Sequence, residues 1–212
     1  NKHLTLLLFI GLAWGQKQYN IEHIVEQAGV HKKKFSDEII NGEVFQMYGD
    51  MKVPLGKMRN GKREGVWTTY HKKGQKESES TWKNGMKDGV YYKYDKKGNL
   101  IEESMYIKDI RNGYHKSYYS SWEGNGLFSE GEYRNDLKHG YWKHFHIYGK
   151  VSREGEMRRG LPIGLWYFFN EDGSLLRKKN ISIWPYSVDS IKEYYRNGNL
   201  KYEGGFKPGL ND

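Results

Sequence analysis

A glycine followed by aromatic residues recurs along this chain at a nearly constant interval, and this recurrence restricts the fold more than any other feature. The glycines are Gly65, Gly89, Gly113, Gly140 and Gly164, with successive spacings of 24, 24, 27 and 24 residues. Five positions later stand Tyr70, Tyr94, Tyr118, Phe145 and Phe169. Two positions after their glycines stand Trp67, Trp142 and Trp166. Self-similarity at a period of about 20 to 50 residues is typical of repeat architectures, in which units bury apolar side chains against their neighbours.

Each period also contains two turn signals. Strings such as Asn60-Gly61 and Asn84-Gly85 precede the glycine, and such dipeptides close two-residue hairpins because both residues tolerate positive φ. A second glycine-containing string follows the aromatic residue, as at 72–74 and 96–98. Each unit is therefore predicted to be strand, turn, strand, turn. The chain is predicted to be all-β, an elongated single-layer antiparallel sheet of stacked β-hairpins, with the insertion 120–126 explaining the longer spacing.

Within a unit, the recurring glycine is expected to let a strand begin beside a bulky neighbour, and the aromatic rings are expected to stack between units. The second and fifth positions after the glycine have opposite parity, so a flat strand would place them on opposite faces of the sheet. Either both faces carry aromatic rows, or a bulge at the glycine redirects one of them. The pattern leaves this choice open.

The chain divides into three parts in this interpretation. Residues 1–15 are expected to be a signal peptide, because the basic start is followed by the apolar run 4–13 and by small residues before Gln16. Residues 16–41 are expected to cap the array, and within them 21–35 form either a hairpin turning at Ala28-Gly29 or a short helix; Gly29 favours the hairpin. The array itself is expected to span 42–212 and to be either truncated at residue 212 or left with an unpaired strand edge.

Charge and composition narrow the classes of partner. The formal net charge is +9, but the only dense basic run is Lys32, Lys33 and Lys34, so no nucleic-acid partner is expected. The sequence contains no Cys, which excludes disulfides and thiol chemistry from this chain. We expect an exported protein located in the periplasm, at the cell envelope or outside the cell.

The strings NGKREGVWTTY (60–70), NGMKDGVYYKY (84–94), DLKHGYWKHF (136–145) and LPIGLWYFF (161–169) resemble the MORN-repeat superfamily in its bacterial variant form. This variant is similar to what is called the YwqK-type antitoxin family. The resemblance covers about residues 42–212. It implies an elongated antiparallel sheet used as a scaffold, a dimerisation surface or a lipid-binding platform. The antitoxin label implies a protein partner that is neutralised, and the export signal favours an envelope or immunity-like role over a cytoplasmic one.

No catalytic constellation is evident in the sequence. His144 and His146 share one side of a strand, with His139 nearby, and this arrangement is half of a metal site at most. Recurring glutamates predict a charge ladder on one face, balanced by Lys and Arg across strands, rather than a glycosidase pair. They are Glu77, Glu79, Glu102, Glu103, Glu130, Glu132, Glu154 and Glu156. We therefore expect a non-enzyme without a cofactor or a bound metal.

Two binding functions remain as predictions. The first is a protein-binding or scaffold module with an unidentified protein partner, in which the irregular Trp122 and Trp184 are the candidate binding residues. An open sheet edge would also allow self-association. The second is a peripheral binder of anionic membrane lipid, for which Lys32, Lys33 and Lys34 are candidate contacts.

Overall fold

The computed structural model of the protein describes residues 17–120, 124, 126–181 and 189–206. One 3₁₀ turn covers Ile21–His23. The strands are β1 (Gln18–Asn20), β2 (Ile24–Gln27), β3 (Val30–Lys33), β4 (Gly42–Tyr48), β5 (Met51–Arg59), β6 (Lys62–Tyr70), β7 (Lys76–Lys83), β8 (Met86–Tyr94), β9 (Leu100–Ile107), β10 (Ile110–Tyr118), β11 (Leu127–Arg134), β12 (Leu137–Phe145), β13 (Val151–Arg158), β14 (Leu161–Phe169), β15 (Leu175–Ile181), β16 (Asp189–Tyr194) and β17 (Leu200–Phe206).

These strands form one long sheet of successive hairpins. From β4 to β17 each strand pairs with the next one in the chain, and β1 joins the edge of the sheet beside β4, so that fifteen strands are continuous. All neighbours from β4 onwards are antiparallel, whereas β1 runs parallel to β4. The predicted fold, an all-β single sheet of stacked hairpins, is confirmed.

The tight turns have the backbone that their sequence predicts. Asn60 and Gly61 have φ of 51° and 71°, and the pair Lys108 and Asp109, which lacks glycine, has φ of 50° and 67°. Two consecutive positive φ values define the type I′ turn, whose twist matches that of the flanking strands. The turns therefore set the hairpin register before any side chain packs.

At three of its five positions the recurring glycine has a different role from the one expected, whereas at Gly89 and Gly113 a Cβ would crowd a neighbouring side chain, as expected. Gly65, Gly140 and Gly164 adopt φ of 72°, 69° and 64°, and a Cβ built on any of them would meet nothing within 4 Å. Room for a bulky neighbour is therefore not the reason for glycine at these three positions. The left-handed backbone is the reason, since a side chain there is strained whatever the space.

Hydrogen bonds also link each tight turn to the preceding unit. Gly85 N donates to Arg63 O at 3.0 Å, Asp109 N to Lys87 O at 2.9 Å and Gly160 N to Lys138 O at 2.9 Å. These donors lie outside the strand ladder and would otherwise face solvent. The bonds fix the stacking of one hairpin on the next along one edge of the sheet.

Of the two structures considered for residues 21–35, a hairpin or a short helix, the N-terminal segment forms the hairpin. β2 and β3 pair around Ala28 and Gly29, and His31 N donates to Gly61 O at 2.8 Å, so this hairpin covers the first tight turn of the array. Ile24 and Ile40 are buried in a cluster with Trp67. Because β1 belongs to the main sheet, part of segment 16–41 extends the array rather than standing apart from it.

Three predictions concern residues that lie outside the described part of the chain. The proposed signal peptide occupies 1–15, and Trp122 and Trp184 fall within the gaps. The end of the chain beyond 206 is likewise not described. Within the described ranges, we find no helix with the length and apolar character needed to cross a membrane.

Candidate functional site: the two faces of the sheet

Strand alternation gives the sheet two chemically different faces. We call the side carrying Trp67, Trp142 and Trp166 the tryptophan face. The opposite side carries a row with one residue from each strand from β6 to β17, and we call it the charged face. In order the row is Thr68, Glu79, Tyr92, Glu103, Lys116, Glu130, Lys143, Glu154, Tyr167, Lys178, Lys192 and Glu203, each paired in register with the next.

The tryptophans form the core of this thin protein. Trp67, Trp142 and Trp166 are 3%, 0% and 5% exposed. Each indole N–H donates to the carbonyl ten residues earlier: Trp67 to Lys57 at 3.0 Å, Trp142 to Glu132 at 3.1 Å and Trp166 to Glu156 at 3.2 Å. For Glu132 and Glu156 this carbonyl follows a register shift in the ladder. The side chain therefore satisfies a backbone group that lies beside a bulge.

The size of the residue eleven positions before each ring matches the size of the ring. Gly56, Gly131 and Gly155 precede the three tryptophans, and a Cβ on Gly131 would lie 2.4 Å from Trp142 Cδ2. Ser80 and Ser104 occupy the same position before the smaller rings Tyr91 and His115. The sequence shows both members of each pair, but their contact is evident only in the structure.

Cations cover these rings on the solvent side. The Arg63 guanidinium carbon lies 4.8 Å from the Trp67 ring and 4.7 Å from the Trp82 ring, and Lys138 Nζ lies 4.0 Å from the Trp142 ring. Burial lowers the pKa of Lys138, and Arg153 and Arg111 lower it further. Among the described residues no carboxylate pairs with Lys138, whereas the neighbouring Arg111 is paired with Asp136 at 3.1 Å.

Sequence reasoning missed one polar cluster on the tryptophan face. Ser104 Oγ lies 2.7 Å from His115 Nδ1 and donates to Glu102 Oε1 at 2.9 Å. Burial lowers the pKa of His115, and Ser104 is 1% exposed. The hydroxyl is therefore a buried link between two side chains, inaccessible to a substrate. His115 could have indicated this cluster from the sequence, because it occupies a position where the other units carry Trp or Tyr.

The histidines suggested by the sequence do not converge. His146 Nε2 lies 3.0 Å from Phe169 O at the turn edge, while the His144 ring stacks beside Trp142 with centroids 6.3 Å apart. Across the described ranges, no three His, Cys, Asp or Glu side chains are grouped closely enough to hold a metal ion. His144 Nδ1 is buried and makes no hydrogen bond with any described residue.

We expect His144 to make folding sensitive to mild acid. Burial, with Arg153 and Lys138 nearby, lowers the pKa of His144 to about 4 from 6.5. Between these values the unfolded chain binds the proton more readily, so stability falls as the pH drops from about 6.5 towards 4, by about 3 kcal/mol in all. Urea denaturation of the native chain and of His144→Gln at pH 7.5 and pH 4.5 measures this. The prediction is wrong if both proteins lose the same stability.

The charged face shows on which side of the sheet the fifth position after the recurring glycine lies. The pairing of β8 with β9 contains one extra residue, Ile101, and it lies on β9. The alternation from Tyr91 to Tyr94 along β8 is therefore unbroken. Burial and Glu79 raise the pKa of Tyr94, which places this hydroxyl near the charged row. Both faces of β8 therefore carry aromatic rings, because the register shift at Gly89 adds two residues to this strand and so preserves the alternation.

The charged row is half-buried, and several of its charges form no ion pair with the described part of the chain. Burial, with a hydrogen bond to Glu103, raises the pKa of Tyr114 to about 12. Tyr141, which is 52% exposed, bonds to Glu154 in the same way on the adjacent unit. Lys116, Glu130 and Lys143 stand in register, yet no described residue forms an ion pair with any of them. A shallow cavity of about 260 Å³ lies between Tyr114, Lys116, Tyr141 and Lys143.

The candidate lysines at the N-terminus do not form one patch. Lys32 Nζ pairs with Asp37 at 3.1 Å, which neutralises it. Lys33 lies at the end of β3, and Lys34 N donates to His23 O at 2.8 Å. Their contact with lipid or protein remains a prediction.

A family model described as MORN repeat variant matches residues 63–84, 87–108 and 191–207. The first match spans most of β6 and all of β7, the second most of β8 and all of β9, and the third most of β16 and all of β17. A search of curated proteins finds no match to this chain. The matches and the sheet of stacked hairpins together indicate a repeat protein of the binding or scaffolding kind.

Proposed function

We propose that this chain is a non-catalytic, exported module that binds a protein partner at the cell envelope through its charged face. The observation that carries the proposal is the row of exposed apolar and aromatic side chains beside the uncommitted charges, formed by Val66, Tyr114, Tyr141 and Leu165. Tyrosine contributes large contact area at a small entropic cost and is enriched among residues that dominate binding energy. An extended exposed surface of this kind is typical of an interaction site.

The proposal of export is based on the sequence of residues 1–15. The proposal that the chain is non-catalytic is based on its sequence, in which no catalytic constellation is evident. Within the described ranges, Ser104 and His115 resemble a nucleophile with its base, and both side chains are buried. An antitoxin- or immunity-like role is the narrower form of the proposal. It adds that the bound protein is a toxin, which the YwqK-type resemblance favours.

The alternative function is binding of anionic lipid, and a different face favours it. The tryptophan face presents Lys138 near Arg153 and Arg111; burial lowers the pKa of Lys138, and the two guanidinium groups lower it further. On the charged face, by contrast, positive and negative residues alternate and largely cancel. Lipid binding would therefore use the tryptophan face and would weaken with salt.

We expect the full chain, used as bait on cell-envelope extract, to retain one stoichiometric protein at both low and high salt. Tyr141→Ala with Leu165→Ala should abolish retention by removing two exposed anchors, and Trp122→Ala with Trp184→Ala should weaken it. Tyr148→Ala is the matched control, since this ring is exposed in a turn away from the row. Affinity purification with mass spectrometry measures retention. Lipid alone, lost at high salt, would favour the alternative and contradict the protein-binding function.

A further inference from the structure

The order of charges on the charged face has a geometric consequence. From β9 to β13 the row reads Glu103, Lys116, Glu130, Lys143 and Glu154, so odd-numbered strands carry Glu and even-numbered strands carry Lys. A twofold axis that runs parallel to the strands and lies between two neighbouring strands makes every odd strand of one copy face an even strand of the other. Such an axis therefore pairs Glu with Lys wherever both facing strands lie between β9 and β13.

We propose that the charged face binds a second copy of this chain, face to face, about a twofold axis between β11 and β12. This placement sets Glu130 against Lys143, Lys116 against Glu154 and Tyr92 against Lys178, and the symmetry makes each pair occur twice. It creates no like-charge contact along the row. The inference rests on the proposed function, because it identifies the protein that occupies the same face.

The distances and areas are adequate for a stable dimer. Packed sheets lie about 10 Å apart, which extended Lys and Glu side chains span together. Six neighbouring strands, β9 to β14, of eight or nine residues each, present about 800 Å² at the usual strand spacing and rise, close to the roughly 800 Å² that each side of a standard interface buries. Tyr114 and Tyr141 flank the axis and supply the apolar part of the contact.

Charge complementarity selects a second copy over an unrelated protein. Lys116, Glu130 and Lys143 have no ion-pair partner among the described residues of their own chain, although cross-strand neighbours of opposite charge are adjacent. A face of alternating sign attracts neither a uniformly acidic nor a uniformly basic partner. It is complementary to itself when shifted by one strand, and the twofold axis produces that shift.

The test uses charge reversals in the full chain, with sedimentation velocity in low salt over a concentration series. The native protein is expected to dimerise. Glu130→Lys and Lys143→Glu should each weaken the dimer by at least about 100-fold, because each creates two like-charge contacts. An equimolar mixture of the two variants should restore the dimer as a heterodimer, since Lys then faces Glu at all four positions. The double variant Glu130→Lys/Lys143→Glu should restore the homodimer for the same reason.

Lys97→Glu is the control, because this lysine lies in an exposed turn away from the row, and far-UV circular dichroism verifies that each variant is folded. A monomeric native protein overturns the inference. So does a dimer that tolerates either reversal, or a mixture that stays monomeric. If the native chain is monomeric yet still retains an envelope protein through Tyr141 and Leu165, this inference fails while the proposed function stands.

Discussion

Trp142→Ala is expected to destabilise the protein by about 3 to 5 kcal/mol, the usual cost of removing a large aromatic side chain from a core. Trp142 is fully buried, contacts Tyr133 and His115 at centroid distances of 5.4 and 5.8 Å, and satisfies the Glu132 carbonyl. Its loss leaves a cavity and an unpaired backbone acceptor, and it exposes the underside of Lys138. Urea denaturation followed by circular dichroism measures the change.

Tyr141→Ala is the matched control for this prediction. Tyr141 is the preceding residue on the same strand and lies on the opposite side, so at protein concentrations where the chain is monomeric the loss should be within about 0.5 kcal/mol. Because repeat units are coupled mainly to their neighbours, Trp142→Ala should also unfold the units around β12 before those around β6. Equal losses for the two variants would show that the tryptophan face is not the core.

Gly131→Ser is expected to cost about 2 kcal/mol through overpacking, and most of that loss should disappear when Trp142 is replaced by Tyr in the same chain. A Cβ at Gly131 would lie 2.4 Å from Trp142 Cδ2 and Cε2. The φ at Gly131 is not positive, so the backbone itself accepts serine and the cost is purely steric. The double variant reproduces the pair that Ser80 and Tyr91 already form two units earlier.

A double-mutant cycle from urea denaturation measures this coupling. We expect a favourable interaction of about 1 to 2 kcal/mol between Gly131→Ser and Trp142→Tyr. If the two losses of stability simply add, the small residue and the ring do not interact. The outcome also bears on design of such arrays, because it states which pairs of residues are interchangeable between units.

The two faces of the sheet have different roles: the tryptophan face provides stability, and we propose that the charged face provides recognition. The tryptophan face buries the rings that hold neighbouring units together, and its cations lie over those rings. The charged face, which contributes little burial, keeps Tyr141 and Leu165 exposed. A single-layer sheet can do both only because successive side chains point to opposite sides.

The repeat period by itself determined the strand order and the hairpins. The spacing of Gly65, Gly89 and Gly113 with their Asn-Gly or Lys-Asp turns predicted the antiparallel sheet, because turn chemistry is local and depends on a few adjacent residues. The burial of the tryptophans followed from the same period. The choice of hairpin over helix for β2 and β3 followed from Gly29 alone.

Only the tertiary structure decided which side of the sheet each residue takes. That assignment depends on where the ladder gains extra residues. Two of them lie at Gly89 and preserve the alternation along β8, and a single one lies on the partner strand, at Ile101. A single residue of register reverses every side chain of a strand, and no local signal in the sequence marks it. The self-complementary row of Glu and Lys and the buried link between Ser104 and His115 are consequences of that register.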